Sequence, residues 1–273
     1  MRGDYSSADS QYVIQQNWGA YSEADHALWR RLYDRQAQLL PGRACQEFID
    51  SLSALNVAKG IPSFERISEN LFPATQWTLV AVPGLIPDAT FFEHLANRRF
   101  PVTVWLRKPE EFDYIVEPDV FHDFFGHVPL LFHPIFADHL QAYGKGGLKA
   151  LRLHGLDELS RLYWYTIEFG LVHSAEGLRA YGAGILSSGG EIVHCLTSTK
   201  PHRIPLNIER VMRTLYKIDT YQETYFVIND FQQLFDVTAP DFTPIYQRLK
   251  LLPTLPADLL LSSERNISLT SPL

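Results

Sequence analysis

The segment EPDVFHDFFGHVPLLFHP places His122 and His127 five residues apart, with Gly126 and Pro129 interrupting the pattern. Two imidazoles invite a metal ion, but on a regular helix residues five apart point about 140° away from each other. Both rings reach one ion only at a helix end or where a bulge widens the turn, and Gly126 makes such a distortion easy. The zinc-protease pattern H-E-x-x-H sets its histidines four apart with a base between them, and this segment fits neither the spacing nor the Glu. A third donor has to come from elsewhere. In RLYWYTIEFGL, Glu168 stands between Ile167 and Phe169, in an apolar and aromatic run. An ionised carboxylate there demands a positive partner, a shifted pKa or a cation. Trp164 lies one turn earlier on the same helical face. Two neutral imidazoles and one carboxylate make the facial triad of non-haem Fe(II) oxygenases, with coordination positions left open. Three protein ligands and one open position also suit a catalytic zinc that activates water.

Each residue has a plainer reading on its own. A lone buried histidine is commonly a hydrogen-bonded core residue, and a lone Glu in an aromatic helix commonly pairs with Arg. Their combination is what points to a metal. His133 and His139 follow closely enough to form a different cluster with His127, but a six-residue spacing across Pro134 has no recurring ligand logic.

The elements that must position these groups are mainly helical. ADHALWRRLYDRQAQLL repeats Leu28, Leu32, Tyr33 and Leu39 at helical spacing, from a cap at Asp25 to a stop at Pro41-Gly42. QEFIDSLSALN does the same with Phe48, Ile49, Leu52 and Leu55, and Ser63 caps a third helix through Ile67 and Leu71. Trp77 to Val82 and Val102 to Leu106 read as strands, with a helix from Asp88 to Phe100 between them. After Pro134 the pattern is helical in IFADHLQAYG, in LDELSRLYWYTIEFGLV and in EIVHCLTS, the last opened by a capping box Ser188-x-x-Glu191. Glu223 to Ile228 reads as one more strand, and NDFQQLFDV as a last short helix. The expected class is α+β, predominantly helical with a few short strands.

Composition narrows the partners. The 273 residues carry 24 Lys+Arg against 31 Asp+Glu, a formal charge of −7, with 46% hydrophobic residues, which excludes a disordered or fibrous chain. The acidic balance argues against nucleic acid or an anionic membrane, because both need a basic footprint. No apolar run reaches membrane-spanning length, and the polar N-terminus MRGDYSSADSQ has no signal-peptide core. Two distant cysteines, Cys45 and Cys195, are expected as free thiols of a reducing compartment, so a cytoplasmic location is expected. No repeat or linker divides the chain. Residues 1–20 are expected as a polar N-terminal tail, and 21–273 as one domain. No sustained heptad follows Asp241, which suits a monomer or small homo-oligomer.

EPDVFHDFFGHVPLL, LYWYTIEFGL and YGAGILSSGGE, in this order, resemble the tetrahydropterin-dependent aromatic amino acid hydroxylases, over about Pro62 to Asp236 and nearest to bacterial members that act on phenylalanine. The resemblance implies the catalytic domain of that family, without the regulatory domain or tetramerisation helix of the animal enzymes. It implies Fe(II) on His122, His127 and Glu168, and a tetrahydropterin cosubstrate. Dioxygen would be split between the pterin and the ring of L-phenylalanine, giving L-tyrosine. It gives Arg107, at the end of VTVWLR, the substrate carboxylate, which a guanidinium grips through paired charge-assisted hydrogen bonds. Without the family, Arg107 reads as a solvated strand-end charge. The resemblance sets Trp164, Val227 and Ser187 on the substrate side, with Ser187 also supporting a ligand histidine. VPGLIPDATFF resembles the pterin loop, so the backbone of Gly84, Leu85 and Ile86 would pair with the bicyclic ring and Phe91 would stack on it. Asp123 and Tyr163 match positions lining the pterin side of the iron. Tryptophan hydroxylases carry Phe at Trp164 and tyrosine hydroxylases an acidic residue at Val227, so both positions favour phenylalanine. Asp123, where the animal enzymes have Glu, and Gly189, where many members have an aromatic residue, depart from the pattern. A zinc-dependent hydrolase on the same His/His/Glu site is the alternative.

Overall fold

The computed structural model describes residues 2–269. Helix α1 (Glu23–Leu39) opens on a capping box in which Ser22 Oγ accepts from Asp25 N and the Asp25 carboxylate accepts from Ser22 N. The cap is therefore Ser22, three residues before the expected Asp25, which supplies the reciprocal half. Helices α2 (Gln46–Leu55) and α3 (Phe64–Thr75, capped by Ser63) follow as expected.

Strand β1 (Thr78–Val82), helix α4 (Asp88–Ala96) and strand β2 (Arg99–Thr103) come next. The helix ends before Phe100, and the strand lies earlier than Val102 to Leu106. Arg98, at φ 54°, turns the chain directly from helix to strand, and parallel pairing with β1 from Thr78↔Arg99 to Val82↔Thr103 sets the register.

A helical stretch then passes through a wide π-helical turn, His122–His127, into α5 (Val128–Leu131). Helix α6 (Pro134–Leu153) runs well beyond Gly144, where the sequence pattern stops. Its glycines serve close packing: a Cβ at Gly144 would fall 2.4 Å from Ala96 N, and one at Gly147 2.2 Å from the Phe92 ring, so α4 lies almost on the α6 backbone. Helix α7 (Leu156–Tyr163) widens into a second π-helical turn, Trp164–Glu168, and stops. Leu171 and Val172, expected in that helix, instead open strand β3 (Leu171–Ser174).

Strand β4 (Gly177–Ala180) and helices α8 (Ala183–Leu186) and α9 (Glu191–Thr197) follow. Half of the expected capping box forms: Ser188 Oγ accepts from Glu191 N, but the Glu191 carboxylate turns away to Gln222 N and the Tyr225 hydroxyl. The chain continues through β5 (His202–Pro205), α10 (Ile208–Arg213), β6 (Thr224–Ile228), α11 (Phe231–Thr238) and α12 (Thr243–Leu249). The sheet has the order β4-β3-β6-β5, antiparallel at its first pair and parallel at the other two. Strands β3, β4 and β5 and helices α5, α8, α10 and α12 have no counterpart in the sequence reading.

The core is aromatic where it backs the first π-helical turn. Phe121, Phe124 and Phe125 are fully buried against Trp29, Phe48 and Phe64, with Phe121 and Phe125 stacked at 4.7 Å. Burial on that scale, with each Phe→Ala costing ~3–5 kcal/mol, holds the turn in place. Residues 2–20, the described part of the expected tail, lie along the body: Ile14 N donates to Ala81 O, Trp18 Nε1 to Ile61 O and the Tyr5 hydroxyl to Leu85 O. Cys45 and Cys195 are free and buried, and burial pushes both thiols up. No helix among the described residues is long and apolar enough to cross a membrane.

Candidate active site

The two π-helical turns supply the three candidate ligands. In a π-helical turn the i→i+5 bond widens the ring of the helix, so residues five apart come to lie one above the other. His122 and His127 occupy the first and last positions of one such turn, with ring centroids 5.3 Å apart. In the other, the Phe169 N to Trp164 O bond closes the wide turn at Glu168. Gly126 keeps a negative φ; a Cβ on it would fall 2.9 Å from Ala183 O, so glycine here admits α8 rather than freeing the backbone.

One donor atom from each of His122, His127 and Glu168 lies within 4.8 Å of the others, the one such group of three among the described residues. Glu168 Oε1 is 3.1 Å from His127 Nε2, and Oε2 is 3.6 Å from His122 Nε2. Burial alone would raise the Glu168 pKa, but positive charge on the two imidazoles and hydrogen bonds from His127 and Gly184 outweigh it and hold the carboxylate below its usual value, the place a metal cation would take. His122 Nδ1 is 2.9 Å from Ser187 Oγ, whose single proton goes to Ala183 O. Ser187 therefore accepts from Nδ1–H, which leaves the Nε2 lone pair facing Glu168. The donor set suits a divalent metal: two imidazoles that would give up their protons and turn Nε2 lone pairs to the ion, an anionic carboxylate, and, among the described residues, no Lys or Arg paired with Glu168. His133 caps α6, and His139 bonds to Thr238 Oγ1, so neither joins the cluster.

Asp119 ties the ligand turn to Arg107. Its Oδ1 accepts from His122 N and Arg107 Nη2, both at 2.9 Å, and its Oδ2 from Arg107 N and Nε. Asp119 is fully buried and Arg107 is 5% exposed, so Arg107 is a desolvated, fixed fork rather than a solvated strand end. Sequence reasoning passed over Asp119, although an acidic residue three before His122 is a helix-cap signal.

The remaining expected residues fall in three places. Phe91, Tyr163 and His127 form a line of rings, with Phe91 edge-on to Tyr163 at 5.8 Å and Tyr163 tilted at 6.4 Å from His127. Burial first, then the charge of Glu168, pushes the Tyr163 hydroxyl well up. Asp123 Oδ2 accepts from Thr103 N at 2.8 Å, and burial raises its pKa. Gly84, Leu85 and Ile86 follow β1, where a Cβ on Gly84 would fall 2.7 Å from Arg2 O and 3.0 Å from the Tyr5 hydroxyl. The N-terminal segment thus braces this loop, a contact with no signal in the sequence. Trp164 stacks on Tyr216 at 4.3 Å and donates from Nε1 to Gln222 Oε1. Gln222 N in turn donates to the buried Glu191, so the turned-away capping residue holds the tryptophan's support. Val227 is buried in β6, which packs against the π-helical turn bearing Glu168.

Comparison with known proteins follows the same lines. The family described as biopterin-dependent aromatic amino acid hydroxylases matches residues 11–243. The chain belongs to this family. The hydroxylase is 60% identical over 247 residues to a phenylalanine-4-hydroxylase of Ralstonia nicotianae, covering 90% of this chain and 79% of the relative. It is 59% identical over 239 residues to that of Chromobacterium violaceum, covering 87% and 80%. The crystal structure of the C. violaceum phenylalanine hydroxylase with iron and phenylalanine bound superposes with a TM-score of 0.91, at 55% identity, over 94% of this chain and 95% of that one. The same enzyme with Fe(III) gives 0.93 at 55% identity, over 96% of each. None of these relatives supports a zinc hydrolase.

Proposed function

We propose that this hydroxylase converts L-phenylalanine to L-tyrosine, using Fe(II), a tetrahydropterin and dioxygen, with His122, His127 and Glu168 as the iron ligands. The observation that carries the reading is the convergence of those three donors, within 4.8 Å of one another, beside a buried Arg107. Bound Fe(II) and pterin supply the activation of dioxygen and the delivery of one oxygen atom to the ring.

The protein's own residues hold and orient. Ser187 fixes the His122 tautomer, so that Nε2 is the free donor. Glu168 supplies the anionic donor, whose buried charge a bound cation would balance. Arg107, clamped along Nε and Nη2 by Asp119, presents its remaining edge to the amino acid carboxylate. Trp164, held by Gln222 and Tyr216, forms the wall for the substrate ring, and Val227 keeps the pocket apolar against an unsubstituted phenyl group. Phe91 and Tyr163 wall the pterin side, Gly84, Leu85 and Ile86 offer backbone groups to the pterin edge, and Asp123 lines the same side. Aromatic walls on both sides keep bulk water from the reacting atoms. Two buried reduced thiols fit a cytoplasmic enzyme, acting as a monomer or small homo-oligomer.

The test is tyrosine formation from phenylalanine with Fe(II), tetrahydropterin and oxygen, beside omissions of each and a zinc-loaded sample. Turnover requiring all three is expected; turnover by the zinc form without reductant would overturn the reading.

A further inference from the structure

Arg35, on α1, brings a second guanidinium to the end of the site where Arg107 sits. Its Nη1 donates to Phe112 O at 3.0 Å, the carbonyl that Arg107 Nη1 also approaches, at 3.4 Å. Its Nε donates to Gln36 Oε1, and the fully buried Gln36 donates to Leu186 O, next to Ser187. The guanidinium lies on Gly189, where a Cβ would fall 3.0 Å from Nε and 3.1 Å from Cζ.

The charges at this end do not balance. Asp119 is the buried carboxylate, and both of its oxygens are taken by Arg107 and His122 N. Asp113, 3.2 Å from Arg35 Nη1, is 93% exposed, so solvent screens most of its charge. Two guanidiniums thus share one desolvated carboxylate; Arg35 Cζ lies 4.5 Å over the Phe112 ring, and its Nη2 is buried without a hydrogen-bond partner among the described residues. Like charges held this close, with a donor left over, are costly until an anion completes them. The edge of Arg107 that Asp119 leaves free ends in Nη1, the atom that shares Phe112 O with Arg35. Donors that contact one carbonyl oxygen are close enough for a single carboxylate to bridge.

We infer that Arg35 is the second cation of the carboxylate clamp, seating the α-carboxylate of the amino acid substrate together with Arg107. The inference rests on the reading of Arg107 as the carboxylate residue. Glycine at position 189 is what lets the Arg35 side chain lie there.

The test compares L-phenylalanine with L-phenylalaninamide, which keeps the ring and amine but lacks the charged carboxylate. Steady-state kinetics on the Fe(II)- and pterin-supplied full chain are paired with calorimetric binding of L-phenylalanine to the Fe(II)-loaded protein. Arg35→Met is expected to raise both KM and Kd for phenylalanine about tenfold, more than it lowers kcat, while the amide's KM moves less than about twofold. Arg35→Lys restores part of the loss, since a point charge replaces the fork. An equal effect on acid and amide would make Arg35 a brace of α1 only and overturn the inference, as would no effect on either. Should Arg35→Met fail to fold, Gly189→Ala displaces the guanidinium by a few tenths of an ångström and is expected to raise the phenylalanine KM about threefold, again for the acid alone. An absent or shared effect of Gly189→Ala overturns the inference equally. If Arg107→Lys fails to discriminate acid from amide, the fault lies with the Arg107 reading; if it discriminates and the Arg35 variants do not, with Arg35.

Discussion

His127 and His139 are both buried imidazoles on helical segments, twelve residues apart in the chain, and they differ in what faces the second ring nitrogen. His127 Nε2 meets Glu168 Oε1 at 3.1 Å, with His122 beside it. His139 donates from Nδ1 to Thr238 Oγ1, whose own proton goes to Leu234 O, and its Nε2, near Phe136, has no hydrogen-bond partner among the described residues. Burial is thus common to both, and a carboxylate is not. A converging anion marks the candidate metal ligand; the other is a core residue kept neutral by desolvation, its pKa pushed down to about 3.

Removing the carboxylate erases the distinction. Glu168→Ala is expected to abolish iron retention and tyrosine formation, an effect larger than the ~10–100-fold that loss of an outer-shell partner costs. Metal analysis after gel filtration, beside a rate assay, checks it; full iron occupancy at full rate would refute the ligand assignment. Ser187→Ala removes the acceptor that fixes the His122 tautomer, and should weaken Fe(II) affinity by about 10–100-fold, read by competition with a chelator.

His139 should instead report on stability. Its folded pKa of about 3 lies below the ordinary ~6.5, so the unfolded state binds more protons between those values. Its contribution is intact above about pH 6.5 and is lost as pH falls toward 3, by ~1.4 kcal/mol per unit. Between pH 7 and 5 the native chain should lose about 2 kcal/mol more unfolding free energy than His139→Leu, measured by urea titration of both. Equal losses would show that this imidazole does not stay neutral on burial. The smallest effect is expected from Gln222→Leu. Freeing the Trp164 indole N–H removes a bond worth ~0.5–1.5 kcal/mol, and should raise the phenylalanine KM by about two- to tenfold with iron content unchanged.

Much of this contrast is legible in the residues. Glu168 between Ile167 and Phe169 signals an anion in need of a cation, and a five-residue histidine spacing signals a widened turn or a helix end. Less legible are the contacts that join distant segments. Asp119 sits three residues before His122, yet its hold on Arg107 depends on the chain folding back after β2. Arg35 reads as one more polar residue of an amphipathic helix, and only packing of α1 against the Ser187–Gly190 segment brings it to Arg107. The short strands are the least legible: β3 and β4 make a four-residue hairpin pair, and β3 and β5 take their place in the sheet only by pairing with β6 further along the chain.

Capping residues and apolar spacing determined most of the helices, since both act within one or two turns of the chain. The chemical identity of the metal site was likewise local, because ligand type and desolvation are properties of the residues and their neighbours in sequence. Tertiary structure decided the phase of the two π-helical turns. Regular and widened turns differ little in local bonding, so the choice falls to packing: Phe121, Phe124 and Phe125 lock against Trp29, Phe48 and Phe64 on one side, and Gly126 admits α8 on the other. With the aromatic side fixed in the core, His122 and His127 turn together toward Glu168.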